Sequence, residues 1–195
     1  MGYQACLNAK AGPVEEGNVG AGTGATVGKL FGRERAMKGG VGAASVRIGE
    51  LVVGALMAVN ALGDVKDPET GQLLAGTRDS TDGRTLVDTA RALREGAALP
   101  RFTPTNTTIG VIATNARLTK PEAIKVAQLG MLGFTTALSP PHTAVDGDVL
   151  FCLSVGDVSA ELTRVGLAAA DAAGTAIARA VKAAAFPSDA SAILG

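Results

Sequence analysis

"TNTTIGVIATNARLTK" (residues 105–120) carries two messages in one stretch. Ile109, Val111 and Ile112 are β-branched and apolar, as in a strand inside a sheet. Thr119-Lys120-Pro121-Glu122 then supplies the hydroxyl, early proline and acidic residue of a helix N-terminus. A buried strand running into a capped helix predicts layered α/β structure with sheets covered by helices. Asn106-Thr107-Thr108 fits less readily. Hydroxyls and an amide at the mouth of a buried strand must find partners or cost free energy.

Outward from this stretch the pattern extends in both directions. Residues 107–114 read as a strand apolar on both faces, hence central in its sheet. The helix after Thr119 is predicted to run to about Ala137. Val149–Val155 ("VLFCLSV") reads as a second buried strand. Ser159–Ala185 reads as a long helix with Leu162, Val165, Ala169, Ala173, Ile177 and Val181 along one stripe. Upstream, Val41–Ile48 and Leu51–Asn60 predict a hairpin turning at Gly49-Glu50. Residues 2–10 resemble the end of a helix without an N-cap, and Gly17–Gly28 a loop or bulged strand. Residues 64–84 are turn-rich and polar, a surface excursion. Leu86, Val87, Ala90 and Leu93 place a helix over residues 85–94, and Pro100 and Pro104 mark an exposed linker over 95–105.

Composition narrows the function. The chain has 195 residues, 47% of them hydrophobic, which suits one domain with a real core. Lys and Arg total 18 against 18 Asp and Glu, so no basic footprint for nucleic acid or an anionic membrane exists. The longest apolar run, Leu51–Val59, is nine residues, too short to span a bilayer. No signal peptide is visible at Met1, and Cys6 and Cys152 lack metal-like spacing. The expectation is a soluble cytoplasmic protein with free thiols, no metal and no cofactor. Twenty-six glycines against one tyrosine imply close backbone contacts more than a bulky aromatic core.

Three constellations invite a chemical reading. "GTGATVGKL" imitates a phosphate-binding loop, but Thr23 stands where the first glycine belongs and Leu30 where a hydroxyl should meet magnesium. Gly20-Ala21-Gly22-Thr23-Gly24-Ala25 matches a dinucleotide pattern without the strand and helix it requires. Close-packed loops explain both. His142, the single histidine, has Ser139, Asp146 and Ser154 near it in sequence, but no G-x-S-x-G elbow accompanies them; a structural or supporting role fits better. In "HTAVDGD" (142–148), Asp146 and Asp148 flank Gly147 just before a buried strand. On extended backbone both carboxylates point to one side, where they are costly without a cation or donors between them. They could equally cap the strand as a polar turn. Thr107 offers them a partner. Were the Asn106–Thr107 bond cut, Thr107 would carry a free α-amine of pKa about 7.7–8.0 beside its own hydroxyl, uniting base and nucleophile. Threonines chosen only for β-propensity are the plainer alternative.

"NTTIGVIATNARLTK" and "HTAVDGDVLFCLSVG", with "EGNVGAGTGATVGK" and "LVVGALMAVNALGDV" upstream, closely resemble the self-processing DmpA-type family of L-aminopeptidases and D-esterase/amidases. That family also includes β-aminopeptidases and a nylon-oligomer hydrolase. The resemblance implies a four-layer αββα sandwich, akin to N-terminal-nucleophile hydrolases and to ornithine acetyltransferases, commonly assembled as tetramers. It implies a precursor cut between Asn106 and Thr107, giving residues 1–106 to the large subunit and 107–195 to the small one. Thr107 becomes the nucleophile, Asp146 and Asp148 its activating pair, Lys29 a nearby lysine, Asn60 the oxyanion donor and Tyr3 a substrate-binding tyrosine. Small peptides, amides or esters are the implied substrates. Members of the family carry a further segment before the position of Met1, so an incomplete sandwich is expected here. An inactive remnant and an acyltransferase are the alternative outcomes of the same resemblance.

Overall fold

The structure, a computed structural model, describes residues 2–99 and 106–184. In chain order its elements are α1 (Gly2–Asn8), β1 (Thr26–Val27), β2 (Met37–Lys38), β3 (Gly40–Ile48), β4 (Leu51–Val59), β5 (Asp64–Lys66), β6 (Leu73–Ala75), α2 (Thr89–Arg94), β7 (Ile109–Ala116), α3 (Lys120–Gly130), α4 (Leu132–Ala137), β8 (Leu138–Ser139), β9 (Val149–Val158) and α5 (Leu162–Lys182). β3 and β4 form the expected hairpin, with Ile48 opposite Leu51. The main sheet has the order β3-β4-β7-β9, antiparallel except for the parallel β7–β9 pair. Its register sets Ala55, Ile112 and Cys152 side by side. β7 is thus central, as its sequence implied.

One face of this sheet holds the core. Leu51, Val53, Ala55, Met57 and Val59 alternate inward along β4, and Ile112 joins them from β7. Each large apolar side chain so buried contributes roughly 1.5–3 kcal/mol. Against them lies α5, whose buried stripe is mostly alanine, with Val165 and Ile177. Small residues let the helix approach closely. At Gly42 a Cβ would stand 2.1 Å from the carbonyl oxygen of Ala176, so helix and strand backbones meet there. α5 begins as Glu161 accepts hydrogen bonds from the N–H groups of Thr163 and Arg164, both at 2.8 Å. α3 begins with Glu122 reaching back to the N–H of Thr119 at 2.7 Å. The helix expected to continue to Ala137 does so as two pieces, α3 and α4, divided at Met131.

Three expectations need correction. Residues 64–84 are a surface excursion only in part: residues 69–72 and 79–82 are exposed, but β5 is flanked by β6 and β8 in a second sheet, and Asp64 and Val65 are fully buried. Helix α2 is shorter than expected, because Asp88 at φ 58° caps it by accepting from the N–H of Arg91. β7 is not covered on both faces. Ile109 is exposed and Val111, Ala113 and Asn115 are only half-buried, in the same rows as exposed Leu56, Phe151 and Leu153. The described residues therefore form a mixed α/β fold with helices on one face of the main sheet. A second large sheet, which a four-layer sandwich requires, is not among them. The proline-marked stretch 100–105 lies outside the described residues.

Candidate active site

Sheet topology gathers the candidate residues at one place. β4 runs antiparallel to β7, and β7 parallel to β9. The C-terminal end of β4 therefore meets the N-terminal ends of β7 and β9 at one rim. Asn60 follows β4, Thr107 and Thr108 precede β7, and Asp146-Gly147-Asp148 precede β9. Lys29, soon after β1, is tied to the same rim as its N–H donates to the carbonyl of Leu62 at 2.9 Å.

The Asn106–Thr107 peptide is held from several sides. Asn106 forms a parallel bridge with Asp146, and its carbonyl oxygen accepts from the N–H of Gly147 at 2.9 Å. The hydroxyl of Thr107 donates to the same carbonyl oxygen at 2.5 Å. The N–H of Thr107 donates to the backbone carbonyl of Asn60 at 3.0 Å. A nucleophilic oxygen thus lies against the carbonyl preceding it, and that carbonyl already has an N–H donor. A Cβ added to Gly147 would fall 2.8 Å from the Thr107 hydroxyl, so the space beside the hydroxyl exists only because residue 147 has no side chain.

Lys29 and Asn60 form a linked pair. The ammonium of Lys29, 5% exposed, donates to the side-chain oxygen of Asn60 at 2.9 Å and to its backbone carbonyl at 3.1 Å. The N–H of Thr26 also donates to the side-chain oxygen, at 3.1 Å. Two donors on that oxygen identify the opposite end of the amide as the NH2, the end able to donate to a developing oxyanion. Burial lowers the pKa of Lys29 to about 8; Asp146 works against the shift and Arg33 adds to it.

The two aspartates have separate partners. Asp146 accepts from the N–H of Leu62 at 3.0 Å, and from the N–H and hydroxyl of Thr143. Asp148 accepts from the N–H of Thr108 at 2.8 Å and meets Nδ1 of His142 at 2.9 Å. Among the described residues neither carboxylate bonds the Thr107 hydroxyl; Asp148 reaches the next residue's amide instead. Thr108 is fully buried and its hydroxyl lacks a partner among the described residues. Burial raises the pKa of Asp148, neighbouring Asp146 adds to that, and Thr108 and His142 oppose it. His142 adopts φ 48° and stacks its ring on buried Phe134 at 5.2 Å. Its tie to Asp148 gives the supporting role expected from sequence a specific target. The Gly147 amide was not foreseen, because a backbone donor leaves no residue-type signal.

A cleft of about 380 Å³ opens on this rim, lined by Ala21, Gly24, Ala25, Arg33, Ala58, Asn60, Thr107 and Ile109. The glycine-rich stretch forms one wall. Tyr3 does not line it: it stands 79% exposed on α1. Among the described residues no three His, Cys, Asp or Glu side chains converge as metal ligands, and Cys6 and Cys152 are free thiols. No helix of the described residues is long and apolar enough to cross a membrane.

Comparisons with known proteins bear on the chain as a whole. The profile of Peptidase family S58 matches residues 1–190. An aminopeptidase of Mycobacterium tuberculosis described as uncharacterized is 38% identical, covering 91% of this chain and 55% of its own. A 6-aminohexanoate-oligomer endohydrolase of a Kocuria species is 30% identical over 84% of this chain and 46% of its own. The chain spans about half the length of the curated relatives it matches. Among solved structures, a Burkholderia β-aminopeptidase superposes with a TM-score of 0.61 at 22% identity, covering 96% of this chain and 52% of its own. The L-aminopeptidase D-Ala-esterase/amidase of Ochrobactrum anthropi, described as a variant of the Ntn-hydrolase fold, gives 0.58 at 24% identity, covering 96% and 51%. These two likenesses concern the fold.

Proposed function

The chain belongs to peptidase family S58, and we propose that it is a self-processing amidohydrolase with Thr107 as its nucleophile, acting on small peptides, amides or esters. The observation that carries this reading is the Thr107 hydroxyl 2.5 Å from the Asn106 carbonyl oxygen. In the first reaction the hydroxyl oxygen attacks the Asn106 carbonyl carbon and its proton passes to neutral Lys29. The N–H of Gly147 holds the developing oxyanion, a contribution worth about 3 kcal/mol for a well-aimed donor. Collapse breaks the C–N bond as the Thr107 nitrogen takes a proton, leaving Asn106 esterified to the Thr107 oxygen. Water then hydrolyses the ester, freeing an Asn106 carboxylate and a Thr107 α-amine.

In the second reaction that amine accepts the hydroxyl proton as the oxygen attacks a substrate carbonyl. The NH2 of Asn60, on the wall of the same cleft, donates to the substrate oxyanion. Asp146 and Asp148 hold the strand mouth and balance the positive charge of the amine and Lys29. The test is intact mass under native conditions. Two fragments divided between Asn106 and Thr107 are expected from the wild type, and one uncut chain from Thr107→Ala. A wild-type chain that stays whole, with no difference in Thr107→Ala, sinks the proposal.

A further inference from the structure

Among the described residues, Arg33 is the one ionisable side chain on the wall of the cleft that holds Thr107 and Asn60. Its neighbours show that its situation is special. Arg35 donates to the carbonyl of Asp79 at 3.1 Å and lies over the ring of Phe31. Arg78 donates to the carbonyl of Glu34 at 2.7 Å. Among the described residues Arg33 makes no such bond and pairs with no carboxylate. Arg33 and Lys29, of the same sign, are close enough to act on each other, while Asp146 attracts Lys29. The rest of the wall is alanine, glycine and isoleucine, apart from Asn60 and Thr107. The cleft therefore presents a positive fork, a small apolar surface and the nucleophile together. At about 380 Å³ it is at the small end of ligand pockets.

We propose that Arg33 anchors a carboxylate carried by the substrate, so that the cleft takes unblocked dipeptides and short amino-acid oligomers ahead of their amides and esters. A guanidinium matches a carboxylate with two parallel hydrogen bonds, a geometry that a neutral amide cannot reproduce. This rests on the hydrolase reading above for its meaning as specificity, but it is tested by binding, without turnover.

The experiment uses the full chain carrying Thr107→Ala and measures, by calorimetry, alanyl-alanine against alanyl-alaninamide. The acid is expected to bind about 10-fold more tightly, and that preference should shrink in 0.5 M salt because Arg33 is solvent-exposed. Adding Arg33→Gln should abolish the preference, whereas Arg33→Lys should keep part of it. Equal binding of acid and amide, no binding of either, or a preference that survives Arg33→Gln overturns the proposal. A wild-type chain that remains uncut while the acid preference holds would instead sink the hydrolase reading and leave the carboxylate site standing.

Discussion

At residue 147 the absence of a side chain leaves room for the proposed nucleophile. Gly147→Ala would put a methyl 2.8 Å from the Thr107 hydroxyl, which can rotate away at little cost to the fold. Rotation takes the oxygen off the Asn106 carbonyl, however, and a misplacement of that size costs about 100-fold in rate. Self-cleavage followed by intact mass should slow accordingly while the urea midpoint stays put; unchanged cleavage would show that the hydroxyl is not poised as described. In the proposed cleavage Lys29 is the base and should set how the rate rises toward alkaline pH. Its pKa near 8 means that the neutral form, able to accept a proton, accumulates as pH rises through about 8. Cleavage should therefore accelerate from pH 7 to 9, and Lys29→Met should be slow and flat across that range. In the same proposal Asp148 should set the acidic limb, since protonation cancels its charge. Its pKa is raised by burial, with His142 opposing the rise. His142→Ala removes that opposition, so the acidic limb should move to higher pH, with partial restoration in His142→Asn, whose amide nitrogen can occupy the place of Nδ1. A purely structural histidine would lower stability and leave the limb where it was.

At the scale of elements, the buried carboxylate of Asp64 joins parts that the sequence scatters. It accepts from the N–H of Thr77 at 2.8 Å, the N–H of Thr89 at 2.6 Å and the hydroxyl of Thr89 at 2.7 Å, tying β5 to the start of α2. Asp64→Ala leaves two buried amides unpaired and should cost about 3 kcal/mol in urea denaturation; a loss below half of that would mean water replaces the carboxylate. This network shows where sequence reading stopped. β3, β4, β7 and β9 were legible as strands because each is long enough for apolar alternation or a β-branched run to register, but β9, expected to be buried, is an edge strand with only Leu150 buried. α3 and α5 were legible from a cap and from a stripe. β5, with three residues, has no period to read, and its partner β8 lies more than seventy positions away. Polar Asp64 therefore counted as surface. Of the candidate site, the residues with distinctive types, Thr107, Asp146, Asp148, Lys29 and Asn60, could be singled out in the sequence, and the fold brings them to one rim. The site was opaque where a backbone amide acts, and the resemblance supplied more of it than spacing alone.

For the molecule as a whole, the open face of the main sheet is the feature that most needs explaining. Register aligns Leu56, Val111 and Phe151 in one row, with Leu153 in the next, and Phe151 is 56% exposed. Contiguous apolar residues on a sheet are the inner face of a layered structure when a second layer is present. The curated relatives are about twice the length of this chain, which leaves room in them for such a layer. The chain by itself should accordingly bind a hydrophobic dye such as anilinonaphthalenesulfonate in its native state. Phe151→Lys with Leu153→Lys should abolish most of that fluorescence and shift stability by only about 0.5 kcal/mol, because neither side chain contributes to the helix-covered core. The like charges of the two lysines would also reduce association between copies at high concentration, measured by sedimentation. Should the double variant unfold instead, this face is buried in the native chain, by itself or by a second copy, and the half-covered architecture described here is wrong for the protein in solution.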